Sequence, residues 1–239
     1  MEEGIFGKDE FVIFAHRGAG GREPENTLRA ITKALDFGAR WVEVDVHVVE
    51  GELIVIHDDR LERTTNGTGR VMERSLSDLR SLDAGKGERI PLLREVFDCV
   101  EGKAGINVEL KGSETAAPLA DFLKEDPGNL PWFRNHLLVS SMDHAALQRF
   151  HILAPSVAVG LLFRGPVRDP IGSASIVGAV SLHLHRNFVD ADLVARAHRQ
   201  GLKVFVFTVN RTDEMERLRS LGADGIFTDF PDCFREGSA

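Results

Sequence analysis

Apolar runs of strand length recur along the whole chain: Phe11 to Ala15, Trp41 to Val46, Ile106 to Leu110, Leu137 to Ser140, Val157 to Leu162, Ala179 to Leu184, Val204 to Val209 and Gly225 to Thr228. Most are continuous rather than alternating, the pattern of parallel strands buried on both faces. Segments of helical period lie between them, among them Leu28, Ile31 and Leu35; Leu92, Leu93, Val96, Phe97 and Val100; and Met215, Leu218 and Leu221. Ala146, Leu147, Phe150 and Leu153, and Leu193, Val194 and Ala197, repeat the pattern. Pro91 suits a first helical position, and Gly38, Gly201 and Gly222 fall where helices should stop. Eight βα alternations predict an α/β fold, the TIM (β/α)8 barrel. An open doubly wound sheet competes, but Gly18-Ala19-Gly20-Gly21 lacks the G-x-G-x-x-G spacing of its phosphate loop.

One region breaks the alternation. Between Val46 and Pro91 lie a further strand, Leu53 to Ile56, the polar stretch Arg63-Thr64-Thr65-Asn66-Gly67-Thr68-Gly69, and a short helical pattern at Leu76, Leu79 and Leu82. This predicts a small insertion between strand 2 and helix 2, residues 47–90, lying over the barrel mouth of a single domain of residues 1–239. Long connections in compact domains are usually functional.

The composition fits a protein with a sizeable core. The 239 residues are 43% hydrophobic, and no window approaches the roughly 18 consecutive apolar residues of a membrane span. A net charge of −8 argues against nucleic acid or an anionic membrane as the main partner. The acidic start Met1-Glu2-Glu3-Gly4 has no basic region followed by an apolar one, so a cytoplasmic location is expected. Cys99 and Cys233 have no metal-binding spacing and suit a reducing compartment. No stable membrane insertion is expected, and association as a homodimer is left open.

The candidate chemistry sits just past the predicted strands. His16 and Arg17 follow the first, Glu43 and Asp45 share one side of the second, and Glu109 and Lys111 do the same at the end of the third barrel strand. A hairpin with its tip at Val49-Glu50-Gly51-Glu52 would return His57 opposite Asp45. Three carboxylates at one barrel mouth describe a hard oxygen site for one divalent cation, Mg²⁺ or Ca²⁺. Singly, each residue has an ordinary reading: Arg17 pairs with an acid, Asn26 or Thr27 caps the first helix, Lys111 is a surface charge. Together they occupy the C-terminal ends of consecutive strands, the face where such barrels carry their sites. Buried acids in otherwise apolar runs also need a partner or an ion. His183 and His185 share one side of the sixth barrel strand and are candidates for substrate contact.

These residues, in this order, resemble the glycerophosphodiester phosphodiesterase family. The resemblance rests on His16-Arg17-Gly18, Pro24-Glu25-Asn26-Thr27, Glu43-Val44-Asp45-Val46, Val55-Ile56-His57-Asp58, and Leu61 with Arg63-Thr64-Thr65, Gly67 and Gly69. It continues through Asn107-Val108-Glu109-Leu110-Lys111, Phe207-Thr208-Val209-Asn210 and Gly225-Ile226-Phe227-Thr228-Asp229 with Pro231. It implies a TIM barrel with an insertion after strand 2 and hydrolysis of a small-molecule glycerophosphodiester to glycerol 3-phosphate and an alcohol. By the same resemblance Glu43, Asp45 and Glu109 hold the metal, His16 and His57 are general acid and base, and Arg17 and Lys111 hold the phosphate. Glu25 and Asn26 line the glycerol or metal side less directly. Phe207 stands where the family usually has Trp, keeping an apolar wall for the glycerol carbons without the indole donor. Val48-Val49-Glu50-Gly51 is one residue shorter than the family's usual hairpin tip. A phospholipase D-like or lysophospholipase D-like activity on a lipid is the rival enzyme reading, with Leu161-Leu162-Phe163 and Phe188-Val189 as its candidate acyl surface. A catalytically silent binding barrel is the rival outside enzymes, and the intact histidines and carboxylates argue against it.

Overall fold

A computed structural model describes residues 5–7, 10–125 and 136–234. The acidic segment Met1-Glu2-Glu3-Gly4 lies outside them. Eight parallel strands close into a barrel: β1 (Val12–Ala15), β2 (Trp41–Val49), β4 (Gly105–Leu110), β5 (Leu137–Ser141), β6 (Ala158–Phe163), β7 (Ser181–His185), β8 (Lys203–Phe207) and β9 (Gly225–Thr228). The ring is closed by β1 pairing with both β2 and β9. Among the described residues, seven helices fill the connections: α1 (Leu28–Asp36), α3 (Leu93–Val100), α4 (Ala116–Glu125), α5 (His144–Leu153), α6 (Pro170–Val177), α7 (Ala191–Arg199) and α8 (Thr212–Ser220). The continuous apolar strands arise because each is covered on both sides. On β2, Val42, Val44 and Val46 pack outward with α1 and α3 residues such as Ile31 and Val96, while Trp41 turns into the barrel with Phe14, Leu138, Phe205 and Phe227. No helix among the described residues is long and apolar enough to cross a membrane.

The interior floor is filled by pairing large side chains with missing ones. A Cβ on Gly105 would stand 2.6 Å from the Trp41 indole, and one on Gly160 would stand 2.5 Å from His183 Nε2. Small-to-large changes at such positions are destabilising because the neighbours cannot move away.

The insertion has its own small core. Strand β3 (Glu52–Val55) runs back along β2, and helix α2 (Leu76–Ser81) covers it, with Ile54, Ile56, Leu61, Val71, Leu79 and Ile90 buried between. The hairpin turns on Glu50 and Gly51, both at positive φ (53° and 86°), the demand of a two-residue turn of this hand. That turn pairs Val46 with Val55, so Ile56, not the expected His57, lies opposite Asp45; Ile56 N–H donates to the Asp45 carbonyl at 3.0 Å. His57 follows as the chain leaves the ladder. The expected first helical position at Pro91 is also displaced. The Pro91 carbonyl accepts from Val55 N–H (2.8 Å), which keeps that backbone extended, and α3 starts at Leu93 with Leu92 N–H bonded to Glu95 (2.8 Å).

His183 is a titratable side chain packed among the floor aromatics. Its ring is fully buried, 5.0 Å from Phe227 and 5.6 Å from Phe205, with Ser181 Oγ 3.1 Å from Nε2 and no partner at Nδ1. Burial lowers its pKa to about 3. An unfolded histidine titrates near ~6.5, so on acidification the unfolded chain takes the proton first, and stability is lost as pH falls from that value toward the folded one. Wild type should therefore lose stability relative to His183→Gln by up to about 1.4 kcal/mol per pH unit across this window. Urea midpoints at neutral and mildly acidic pH would measure it, and parallel profiles for the two proteins would contradict it.

Candidate active site

Strand parity builds the site. Above Trp41 on the inner face of β2 stand Glu43 and Asp45; above Gly105 on β4 stand Asn107, Glu109 and, past the strand, Lys111. β1 leads directly to His16 and Arg17, and β3 delivers His57. A cavity of about 370 Å³ opens at this mouth, with His16, Arg17, Glu43, His57, Glu109 and Lys111 on its charged wall. Met142, Leu162, Phe207 and Phe227 form its apolar part.

Glu43, Asp45 and Glu109 each offer an oxygen, all three within 4.8 Å of one another, and all three residues are buried. Burial, then the neighbouring Asp45 and Glu109 charges, push the Glu43 carboxyl well above the usual carboxylate range. Burial raises Glu109 as well, against the opposing pull of Lys111. Burial would also raise Asp45, but the charges of Lys111 and Arg17 outweigh it and hold Asp45 below that range. Lys111 Nζ lies 2.9 Å from Asp45 Oδ1 and 2.5 Å from Glu109 Oε1, and Arg17 Nε lies 3.3 Å from Asp45 Oδ2. Glu43 Oε2 accepts from the Arg17 backbone N–H at 2.9 Å, whereas its Oε1 is buried with no hydrogen-bond partner. Three hard oxygen donors in mutual repulsion, one of them orphaned, fit a divalent cation such as Mg²⁺ or Ca²⁺.

The loop after β1 is shaped to serve this cluster. Arg17 and Asn26 adopt left-handed φ of 56° and 57°. Gly18, also left-handed, passes so close to α1 that a Cβ would meet the Ala30 carbonyl carbon at 2.6 Å. Thr27 caps α1, its hydroxyl accepting from Ala30 N–H at 3.2 Å, which leaves Asn26 free to donate its amide to Asp45 Oδ2 at 2.8 Å.

Both histidines are backed by carboxylates. His16 Nδ1 lies 2.6 Å from Asp229 Oδ1, and Asp229 is held by the Asn210 side chain (2.7 Å) and its own N–H to Asn210 Oδ1 (2.9 Å). His57 Nδ1 lies 2.5 Å from Asp58 Oδ1. An ionised carboxylate can only accept, so Nδ1 carries the proton on each ring and Nε2 is left with its lone pair. The Arg63 hydrogen bond comes first among the causes that hold Asp58 low, and burial opposes it. In Asp229 burial works upward, but the bond to His16 prevails and lowers it. Burial, with the Lys111 and Arg17 charges assisting, lowers His57 and favours its neutral form.

The expected site residues divide into three groups. His16, Arg17, Glu43, His57, Glu109, Lys111 and Phe207 line the cavity, with Asp45 buried directly behind. Glu25 and Asn26, expected at the glycerol or metal side, do not line this cavity; Glu25 binds Arg17 Nη1 (2.7 Å) and Asn26 binds Asp45. His183, expected at the substrate, lies in the floor because residue 183 is one inward step below the mouth, and His185 takes the cavity position instead. Of the candidate acyl surface, Leu161 and Phe163 face the helices, Val189 is buried, and only Leu162 lines the cavity. Sequence reasoning gave no role to Arg63, which donates to both Glu25 (2.7 and 2.8 Å) and Asp58 (2.6 and 2.9 Å), tying the supports of Arg17 and His57 together. Asp58, adjacent to a candidate histidine, carried a local signal; Arg63 is recognisable only once the insertion is folded.

Residues 16–233 match the sequence profile of the glycerophosphoryl diester phosphodiesterase family. The chain is 36% identical over 235 residues to a glycerophosphodiester phosphodiesterase of Caldanaerobacter subterraneus, covering 92% of this chain and 95% of the relative. It is 28% identical over 257 residues to one from Bacillus subtilis, covering 97% and 88%. Its fold is similar to an Oleispira antarctica phosphodiesterase solved with the product sn-glycerol-3-phosphate, with TM-score 0.86, 33% identity and coverage of 93% and 94%. It is also similar to the Thermotoga maritima glycerophosphodiester phosphodiesterase, with TM-score 0.78, 26% identity and coverage of 95% and 98%.

The two roles of Asn26 are separable. Asn26→Ala should destabilise the protein by about 1–3 kcal/mol through the lost bond to buried Asp45 and the strained φ. Asn26→Gly relieves the φ alone and should recover part of that loss in urea unfolding; equal losses for both would assign the whole effect to the side chain.

Proposed function

The chain belongs to the glycerophosphodiester phosphodiesterase family, and from that premise we propose that it hydrolyses glycerophosphodiesters by two-histidine acid–base catalysis at a site holding one divalent cation. It is a phosphoric diester hydrolase with a small-molecule substrate. The reading rests above all on one observation: two carboxylate-backed histidines and three clustered carboxylates line or adjoin one cavity.

Glu43, Asp45 and Glu109 would hold the cation, Mg²⁺ or Ca²⁺, whose charge would offset that of the phosphate oxygens. Arg17 and Lys111 bind and orient the diester anion, and their placement favours the extra charge that develops as phosphorus is attacked. One histidine, through Nε2, takes the proton of the attacking hydroxyl. The bond between phosphorus and the alcohol oxygen breaks, and the other histidine, entering the step as the imidazolium with a proton on both ring nitrogens, gives its Nε2 proton to the departing alkoxide. Asp58 and Asp229 keep the two rings in the required tautomer. The attacking hydroxyl belongs to water or to the substrate's own glycerol; the second route passes through a cyclic phosphate that water then opens, and phosphorus NMR of the products distinguishes them. Phe207 supplies an apolar wall for the glycerol carbons.

His16→Ala and His57→Ala should each lower turnover of a glycerophosphodiester panel by at least about 10²-fold, with the far-UV circular dichroism unchanged. EDTA should abolish activity reversibly, restored by Mg²⁺ or Ca²⁺. Near-wild-type rates in either histidine variant would sink the acid–base pair, and full activity in EDTA would sink the metal requirement.

A further inference from the structure

The cavity has two poles. In the ring β1, β2, β4, β5, β6, β7, β8, β9, strand β7 lies four places from β2, diametrically across the mouth. The carboxylates stand on β2 and β4. Facing them, Arg164 just past β6 and His185 and Arg186 at the end of β7 line the same cavity. Among the described residues, the only acids lining the cavity, Glu43 and Glu109, belong to the opposite wall.

The proposed machinery does not use these side chains. Arg17 and Lys111 are committed to the carboxylate wall, whereas Arg164 is exposed at the rim and makes no ion pair or hydrogen bond among the described residues. Arg186 is steadied by one bond from Nη1 to the Thr208 carbonyl (2.8 Å) and a looser pairing of Nε with Glu214 (3.5 Å) outside the cavity. His185 Nδ1 accepts from Asn187 N–H at 3.3 Å, and its ring stands 5.9 Å from Phe207.

A diester extends two arms from its phosphate. The glycerol arm is short and neutral, and Phe207 and Phe227 offer it an apolar wall inside the cavity. The alcohol arm varies in size and must leave through the open rim. On the β6–β7 side it meets guanidinium groups, whose forked donors match phosphate oxygens. A cationic alcohol such as choline would meet like charge there and no carboxylate among the described residues that line this wall.

We propose that the Arg164, His185 and Arg186 wall selects diesters whose alcohol arm carries a second phosphate. This rests on the hydrolase reading and deepens it, naming the substrate class of the same site. Arg164 is the main determinant, because it has no competing partner among the described residues.

The test compares kcat/KM for glycerophosphoinositol 4-phosphate with that for glycerophosphoinositol, which differ only in the added phosphate, and includes glycerophosphocholine as the cationic case. A ratio taken within one preparation does not depend on its folded fraction. Wild type should favour the phosphorylated substrate over the neutral one by about 10-fold or more, the scale of one charged hydrogen bond, with the choline ester slowest. In Arg164→Gln the preference for the added phosphate should fall at least about fivefold, and further in Arg164→Gln with Arg186→Gln. A wild-type ratio near or below one, or a ratio that neither variant moves, overturns the proposal while leaving the hydrolase reading intact. Failure to turn over any of the three diesters overturns the hydrolase reading itself.

Discussion

Three carboxylates held within 4.8 Å of each other in a buried barrel mouth are the constraint around which the site is arranged. Unrelieved, such a cluster is strongly unfavourable, since each charge is removed from water and repelled by the others. The surrounding chain answers it residue by residue. Arg17 and Lys111 contribute opposite charge, Asn26 and the Arg17 backbone contribute hydrogen bonds, and Arg17 and Asn26 accept left-handed backbone to do so. The deviations from ideal geometry in the loop after β1 are therefore explained by the charge they serve. They are sustained by the tight contact of Gly18 with α1 beneath.

Most of this was legible from parity and order. Continuous apolar strands told of a barrel covered outside and filled inside, and i, i+2 acids in β2 and β4 announced a common inward face. Glycines 38, 201 and 222 do follow α1, α7 and α8, each at positive φ. Register was harder to read. His57 missed its expected partner by one residue because a two-residue turn at Glu50-Gly51 sets the pairing, and that geometry is fixed by backbone dihedrals rather than by composition. His183 and His185 share a parity but not a depth: alternation tells which face a residue takes, not whether it lies at the floor or the mouth. Arg63, Asp229 and Asn210 stand within the motifs that carry the family resemblance, and Asp229 was expected to hydrogen-bond inside the mouth, but the contacts by which they act join segments far apart in the chain and are visible only in the fold.

The apolar floor and the charged mouth are consecutive layers of the same strands. Trp41, Phe14, Phe205 and Phe227 fill the lower layer, and Gly105 and Gly160 admit the larger rings of Trp41 and His183. A rigid floor matters to the chemistry above it, because Glu43 and Glu109 are only two and four residues beyond Trp41 and Gly105 on their strands. Side chains positioned by strands are held more tightly than those positioned by loops. The two histidines, which lie just past strand ends, gain comparable restraint from Asp229 and Asp58.

The insertion has a separate small core, yet it supplies His57, Asp58 and Arg63, while the barrel supplies His16, the carboxylates and Lys111. The proposed acid–base pair is thus divided between two bodies of packing that need not open together. Local unfolding follows such boundaries, and small satellite cores open at lower free energy than the main one. Opening the insertion alone would remove one histidine and untie Glu25 from Asp58 while the barrel kept its fold and its acidic cluster. On the proposed two-histidine reading, catalytic competence is a more fragile property of the molecule than foldedness, set by the docking of some forty residues rather than by the barrel that carries them.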